Sequence, residues 1–447
     1  MKIKTLLYAW LTGFATIWFA SSASATVPSW FEPDSARAIH SRLASDFSLS
    51  MPQAVKNIKA LYPKVTDADI DRFIDKHYIE VFIIDGKKRM HRKSPRNLVL
   101  LNPNMNNWTG RGSESEPIRR KIAADIIAAS KTDEVKPSLT QKITIRFSID
   151  VPYNDVLDGD TIKVWMPFPI ESDRQSNVEL ISTSRHKAIR STGHSVHNTL
   201  YMEAPVVKGK PTHFEYTVSY DCSALYIAPE YILSHIKPYD KDSEIYRKYT
   251  EFQTPHIVRL DDLAKEIVGE ETNPFRQSEL VFNYIVKHYP WAGAREYSTI
   301  PCIPQYVIEQ RHGDCGQVAL LYISLMRTLG VPARWESGWM LHPNEKNLHD
   351  WAEVYFEGVG WVPIDVSFGR YTNADDNRVV NFYSTGIDFY RFATNKGVFS
   401  PLYPAKRYLR SDNVDLQMGE VETTRGNLFY GGWKKNLEIL SIKPIEQ

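Results

Sequence analysis

The sequence predicts an α+β chain in which a mainly helical N-terminal region precedes a β-sandwich-like segment and then a segment mixing helices and strands. Three observations carry that reading. Apolar residues recur at helical spacing before about residue 136. They alternate with polar residues at period two from about 137 to 235. Beyond 236 a strong helical stripe is followed by two strand-like runs. A length of 447 residues exceeds what one hydrophobic core serves and calls for two or three domains.

Residues 1–25 read as a signal peptide. Lys2 and Lys4 give a basic start, Leu6 to Phe19 is mostly apolar, and Ala23-Ser24-Ala25 is a small-x-small cleavage site. A periplasmic or secreted protein is expected. In the helical region, 26–136, Ser50-Met51-Pro52 opens a stripe of Ala54, Val55, Ile58 and Leu61, and Ile70, Phe73 and Ile74 form a second. Ile79 to Ile84, Asp85-Gly86 and Lys88 to Arg92 read as a hairpin, since Asp-Gly supplies the positive φ of a type I′ turn. Pro117 opens a helix over Ile118 to Ala129. Asp67, Asp69 and Asp71 alternate as in a calcium loop. Arg72 stands where such a loop needs glycine and Tyr78 where it needs Glu, so they read as a helix start.

In the β-sandwich-like domain, 137–235, the alternating sets are Ile143-Ile145-Phe147-Ile149-Val151, Ile162-Val164-Met166 and Phe214-Tyr216-Val218-Tyr220. Residues 236–447 form the expected catalytic domain. Its tail after Asp365, with Tyr383, Phe389, Tyr390, Phe392, Tyr403, Tyr430 and Trp433, is too aromatic for disorder and is expected to pack onto that domain.

Lys+Arg 54 against Asp+Glu 53 favours neither nucleic acid nor an anionic membrane as partner, and no later segment is apolar enough to span a bilayer. Three cysteines, Cys222, Cys302 and Cys315, are too few for a disulfide-built fold, and a Cys222–Cys302 bridge stays open. No pair of cysteines or histidines has zinc spacing, so neither metal nor cofactor is predicted.

The chemistry gathers around Cys315. Val318, Leu321, Tyr322, Leu325, Met326 and Leu329 define a helix ended by Gly330 and Pro332, so Cys315 falls in its first turn. The positive end of the helix dipole and the free N–H groups there favour thiolate over thiol. Downstream, His349 opens a strand, Glu357 to Gly360 turns the chain, and Trp361 to Asp365 runs back. A two-residue turn would put His349 and Asp365 on opposite faces. Sharing a face requires a bulge or a three-residue turn around Gly358 or Gly360. Cys315, His349 and Asp365 then read as nucleophile, base and orienting carboxylate, with a thiolate–imidazolium pair at rest.

Four segments carry a family resemblance: Gly313-Asp314-Cys315-Gly316-Gln317-Val318-Ala319, Leu329-Gly330-Val331-Pro332-Ala333-Arg334, His349-Asp350-Trp351-Ala352-Glu353-Val354 and Gly360-Trp361-Val362-Pro363-Ile364-Asp365. Over about residues 275 to 370 the chain resembles the transglutaminase-like superfamily. The resemblance implies a papain-like core with Cys315, His349 and Asp365 in the catalytic roles. Two departures are mild: Asp350 where the family commonly has Ala, and Asp365-Val366-Ser367 where Asp-Pro-Thr is usual. Trp291, Gln305, Tyr306, Trp339 and Trp351 are candidates for a substrate cleft. The reaction expected is attack on a peptide or carboxamide carbonyl through a cysteine thioester, resolved by water. The substrate would be a peptide or protein, with cell-wall peptide as one candidate. Transfer to an amine, as in cross-linking of protein glutamine, is the second reading. A non-catalytic binding module is the third.

Overall fold

The structure, a computed structural model, describes residues 31–102, 105, 115–153, 158–371 and 374–445. The expected leader at 1–25 lies outside the described residues. Helices and antiparallel sheets mix along the chain, as an α+β reading requires.

Residues 31–101 carry a small core of their own, Ala54, Ile58, Ile70, Ile79, Met90 and Leu98. Asp85 and Gly86 take φ of 49° and 72°, the two positive angles of a type I′ turn, and join strands Val81–Ile84 and Lys87–Met90 in the expected hairpin. Thr66 and Asp69 close a capping box on helix Asp67–Asp75, which gives the acidic alternation a structural task. His91 in this region is 1% exposed and neither ring nitrogen has a hydrogen-bond partner. Burial, then the charges of Lys93, Arg92 and Arg295, push its pKa down to about 2, and Asp46 at 3.9 Å does not offset them. The folded value lies below the unfolded one. Its contribution is therefore intact above about pH 6.5 and declines by about 1.4 kcal/mol per pH unit on acidification. His91→Phe is expected to flatten the loss of melting temperature between pH 7 and 4.5. An unchanged slope would mean that His91 is not the acid-sensitive group.

Strands β1 (Ser138–Val151), β2 (Thr161–Pro167) and β3 (Thr212–Tyr226) build the sandwich. β1 and β3 pair antiparallel, and Ile143, Ile145, Phe147 and Ile149 with Phe214, Tyr216, Val218 and Tyr220 are fully buried. Ile162, Val164 and Met166 of β2 join the same core. The helix Glu116–Ala129 lies against β1 and β3.

The segment beyond follows the helical and strand signals closely. Helices α1 (Pro274–His288), α2 (Ile303–Gln310) and α3 (Cys315–Thr328) precede β4 (Ala333–His342), β5 (Glu345–Phe356) and β6 (Gly360–Ile364). A later strand, β7 (Arg391–Asn395), completes an antiparallel sheet in the order β6-β5-β4-β7. Every residue of α3 from Gly316 to Arg327 is buried, so the helix carrying Cys315 is held on all sides. Phe356 pairs with Gly360, which leaves a three-residue turn, Glu357-Gly358-Val359, with φ of 85° at Gly358 and 105° at Gly360. That odd loop is what the parity of His349 and Asp365 demanded.

The tail corrects one expectation. Part of it does join the catalytic sheet, through β7. The last two long strands, β8 (Glu420–Thr423) and β9 (Lys434–Pro444), belong to the sandwich sheets, where β8 pairs with β2 and β9 with β1. The span 236–447 is therefore not one unit. The physical reason is that β1, paired only with β3, would leave an open edge, which β9 covers. The three cysteines are all free thiols.

Candidate active site

Asp314 caps α3. Its side chain accepts from the Gln317 N–H at 3.2 Å, and the Gln317 side chain accepts from the Asp314 N–H at 3.2 Å. Tyr297 donates its hydroxyl to the same Asp314 carboxylate. Gly316 is required by close approach. A Cβ there would come within 2.7 Å of Asp350 Oδ2 and 2.8 Å of the Trp335 ring. These contacts place the first turn of α3 directly on the face of β4 and β5 that carries Trp335 and Asp350.

Cys315, half-buried, donates its thiol to Asp350 Oδ2 at 3.2 Å. Asp350 is fixed in turn by Gln417, whose amide donates to Asp350 Oδ1 and, at 2.9 Å, to the His349 carbonyl. Behind Asp350 stand the carboxyls of Asp415 and Asp412. Burial pushes the thiol pKa well up, and the nearby Asp350 and Asp314 push it further. Burial likewise raises Asp350, Asp412 and Asp415, each reinforced by its acidic neighbours. The helix dipole favours thiolate by only about 0.3–1 kcal/mol, so burial and the carboxyls set the direction of the shift and favour the thiol.

His349 and Asp365 meet as the hairpin parity expects, with Nε2 and Oδ2 2.7 Å apart. Asp365 also accepts from Ser367 Oγ at 2.9 Å and the Phe368 N–H at 3.2 Å, and lies 3.2 Å from Arg391 Nη1. Burial would raise Asp365, but His349, then Arg391, hold it below the usual carboxylate range. Burial lowers the His349 pKa, opposed by Asp365. Phe368 stacks on the imidazole at 4.4 Å. Successive strand residues point to opposite faces, and Asp350 faces Cys315. His349 therefore lies on the other face of β5, with Trp351 and Asp365. Among the described residues no hydrogen bond joins Cys315 to His349, and the resting thiolate–imidazolium pair expected from the sequence is replaced by a thiol–carboxyl contact.

The cleft candidates separate. Trp291 is 42% exposed and bridges Gly313, two positions before Cys315. Gln305 is exposed on α2, and its side-chain amide donates to Glu309. Tyr306, Trp339 and Trp351 are buried, with polar atoms bonded to Glu80 at 2.9 Å, the Gln417 carbonyl at 2.8 Å and Glu336 at 2.6 Å. These three are packing residues here, because each indole or phenol already has an internal partner. The sequence reading missed Asp350, Gln417, Asp412, Asp415 and Arg391. Only Asp350 left a mark, as a departure from the family motif.

Residues 261–366 match the family model described as the transglutaminase-like superfamily. The chain carries a transglutaminase-like core. The match spans less than half of the chain. An uncharacterized protein, YebA, of Bacillus subtilis (strain 168) is 26% identical over 182 residues, 35% of this chain and 24% of that protein. An uncharacterized protein of Haemophilus influenzae is 29% identical over 161 residues, 28% of this chain and 40% of that protein. The matched stretch thus spans about a quarter and two fifths of these relatives. Among solved structures, a candidate cysteine protease from Cytophaga hutchinsonii has a TM-score of 0.46 at 15% identity, covering 70% of this chain and 96% of that one. The periplasmic domain of TgpA from Pseudomonas aeruginosa has a TM-score of 0.27 at 14% identity, covering 56% and 92%. Among the described residues, no helix is long and apolar enough to cross a membrane.

Proposed function

We propose that the chain is an exported thiol enzyme that hydrolyses peptide or carboxamide bonds through Cys315. The observation that supports this most is the position of Cys315, half-buried at the first turn of a fully packed helix inside the transglutaminase-like core, beside the exposed Trp291. A peptide, with cell-wall peptide one candidate, would lie along Trp291 with its carbonyl carbon at Sγ. The Cys315 N–H, free in the first helical turn, is a donor for the oxyanion.

His349, braced by Asp365, is the assigned proton carrier. His349 takes the Cys315 thiol proton, and the resulting thiolate adds to the carbonyl carbon. The imidazolium gives its proton to the departing nitrogen, the C–N bond breaks, and a thioester remains on Sγ. Water then loses a proton to the imidazole, attacks the thioester, and the acid and thiolate are released. This sequence requires His349 to take the place that Asp350 occupies on the thiol. A slip of the whole strand would bring Trp351 and Glu353 under α3 in place of Ala352 and Val354. An exchange limited to the Lys346–Asp350 end of β5 would leave that packing in place. Transfer to a primary amine is the alternative and needs a site that excludes water.

The test is Cys315→Ala against a fluorogenic casein. Loss of at least about 10³-fold in turnover is expected. Undiminished hydrolysis in the variant overturns the reading, and labelled amine appearing in a glutamine-rich protein assigns transfer instead.

A further inference from the structure

We infer that Asp350 is a restraint on the nucleophile: by accepting the Cys315 hydrogen it holds Sγ as a thiol against the α3 side of β5. The inference rests on the reading of Cys315 as the nucleophile.

The arrangement around Asp350 is built for holding rather than for turnover. One carboxylate oxygen takes the thiol at 3.2 Å and the other takes the Gln417 amide. The same amide donates to the His349 carbonyl at 2.9 Å, so one side chain fixes the backbone of one residue and the carboxyl of the next. Trp339 donates its indole N–H to the Gln417 carbonyl at 2.8 Å and anchors the clamp to β4. Gly316 gives the Asp350 oxygen its space, since any Cβ there would collide with it. Asp350 is buried, so little water reaches the carboxyl that accepts the thiol.

The charges facing this contact come from four places. Asp314 and the Tyr297 hydroxyl flank it from the head of α3 and the preceding loop, and Asp415 and Asp412 lie behind Asp350. Lys93, from the N-terminal unit, is the cation acting on Asp314. The balance is acidic, and an acidic surround favours S–H over S⁻. No covalent step is involved. Removing the carboxyl frees the S–H bond to ionise to bulk base and frees Sγ to rotate.

Asp350→Ala restores the residue common in the superfamily. In the full chain, iodoacetamide labelling of Cys315 at pH 7, followed by mass spectrometry of the Cys315 peptide, is expected to be slow in the parent and at least about tenfold faster in Asp350→Ala, with the pH midpoint of labelling moved down. Asp415→Asn, which leaves the thiol contact in place and removes one carboxyl behind it, is expected to move the midpoint in the same direction by less. It carries the test if Asp350→Ala does not fold. Thiolate-like labelling of the parent at pH 6 overturns the restraint, as does a folded Asp350→Ala that labels no faster. A general-base role for Asp350 would instead lower both labelling and turnover, which also overturns it. Fast labelling in Asp350→Ala with no hydrolysis by either protein would sustain the restraint and sink the proposed hydrolase.

Discussion

Replacing Arg391 with Met is expected to destabilise the protein by about 3–5 kcal/mol, the cost of leaving buried charges unpaired. Arg391 is 0% exposed and enters from β7, the last strand to join the sheet. One arm of its guanidinium lies 3.2 Å from Asp365 and the other 2.8 Å from Asp388. Its plane lies over Trp351 and Phe368, with centroid distances of 5.0 and 5.1 Å. Met fills most of the volume but answers neither carboxylate. Asp365 and Asp388 are both held below the ordinary carboxylate range, with burial opposing and Arg391 among the charges that prevail. A depressed folded value contributes stability above the unfolded pKa of about 3.9, lost as pH falls through the folded one. The gap between parent and Arg391→Met should thus be widest near neutrality and narrow below about pH 4. Urea unfolding at pH 7 and 3.5 reads it. A loss under about 1 kcal/mol at pH 7 would show that the cluster is not held by this cation.

Gly338→Ala should be nearly as costly, about 3 kcal/mol or more, for a steric reason. Gly338 pairs with His349 on one side and Ala393 on the other. A Cβ there would run into the Phe392 carbonyl oxygen, and backbone cannot yield as a side-chain tip does. β4 and β7 would have to part, and β7 carries Arg391. The expected signature is therefore coupled: lower stability together with a loosened His349–Asp365 pair, visible as a changed imidazole titration by NMR. Gly360 makes a useful contrast. Its Cβ would meet nothing within 4 Å, so its φ of 105° alone opposes substitution. A Gly338→Ala protein as stable as the parent would mean that the two strands separate at little cost.

Much of this was legible in the chain. The stripe from Val318 to Leu329 gave α3 its length and placed Cys315 at its head. The parity of the hairpin called for a bulge or a three-residue turn, and the three-residue turn is what forms. The side of β5 on which His349 stands is legible too. Ala352 and Val354 are the small apolar set, so a buried helix must cover their face. Asp350 shares that parity, and His349 does not. Sequence pattern could not supply Gln417, whose amide reaches Asp350 and His349 from 67 and 68 positions away. The end of the chain was misplaced because its aromatics drew more weight than the alternation of Leu437 and Ile439 in β9. That alternation is a strand signal, and only the pairing partner reveals which sheet it joins.

The insertion of β9 beside β1 also sets an order of events. Arg146 and Glu438, paired at 3.0 Å across the two strands, are 292 residues apart in sequence. β1 must wait with one side open until the chain has been made through β9. Contacts that distant are slow to close, so the sandwich begun by the first strands is finished only by the last, and the transglutaminase-like core lies entirely within the intervening loop of chain.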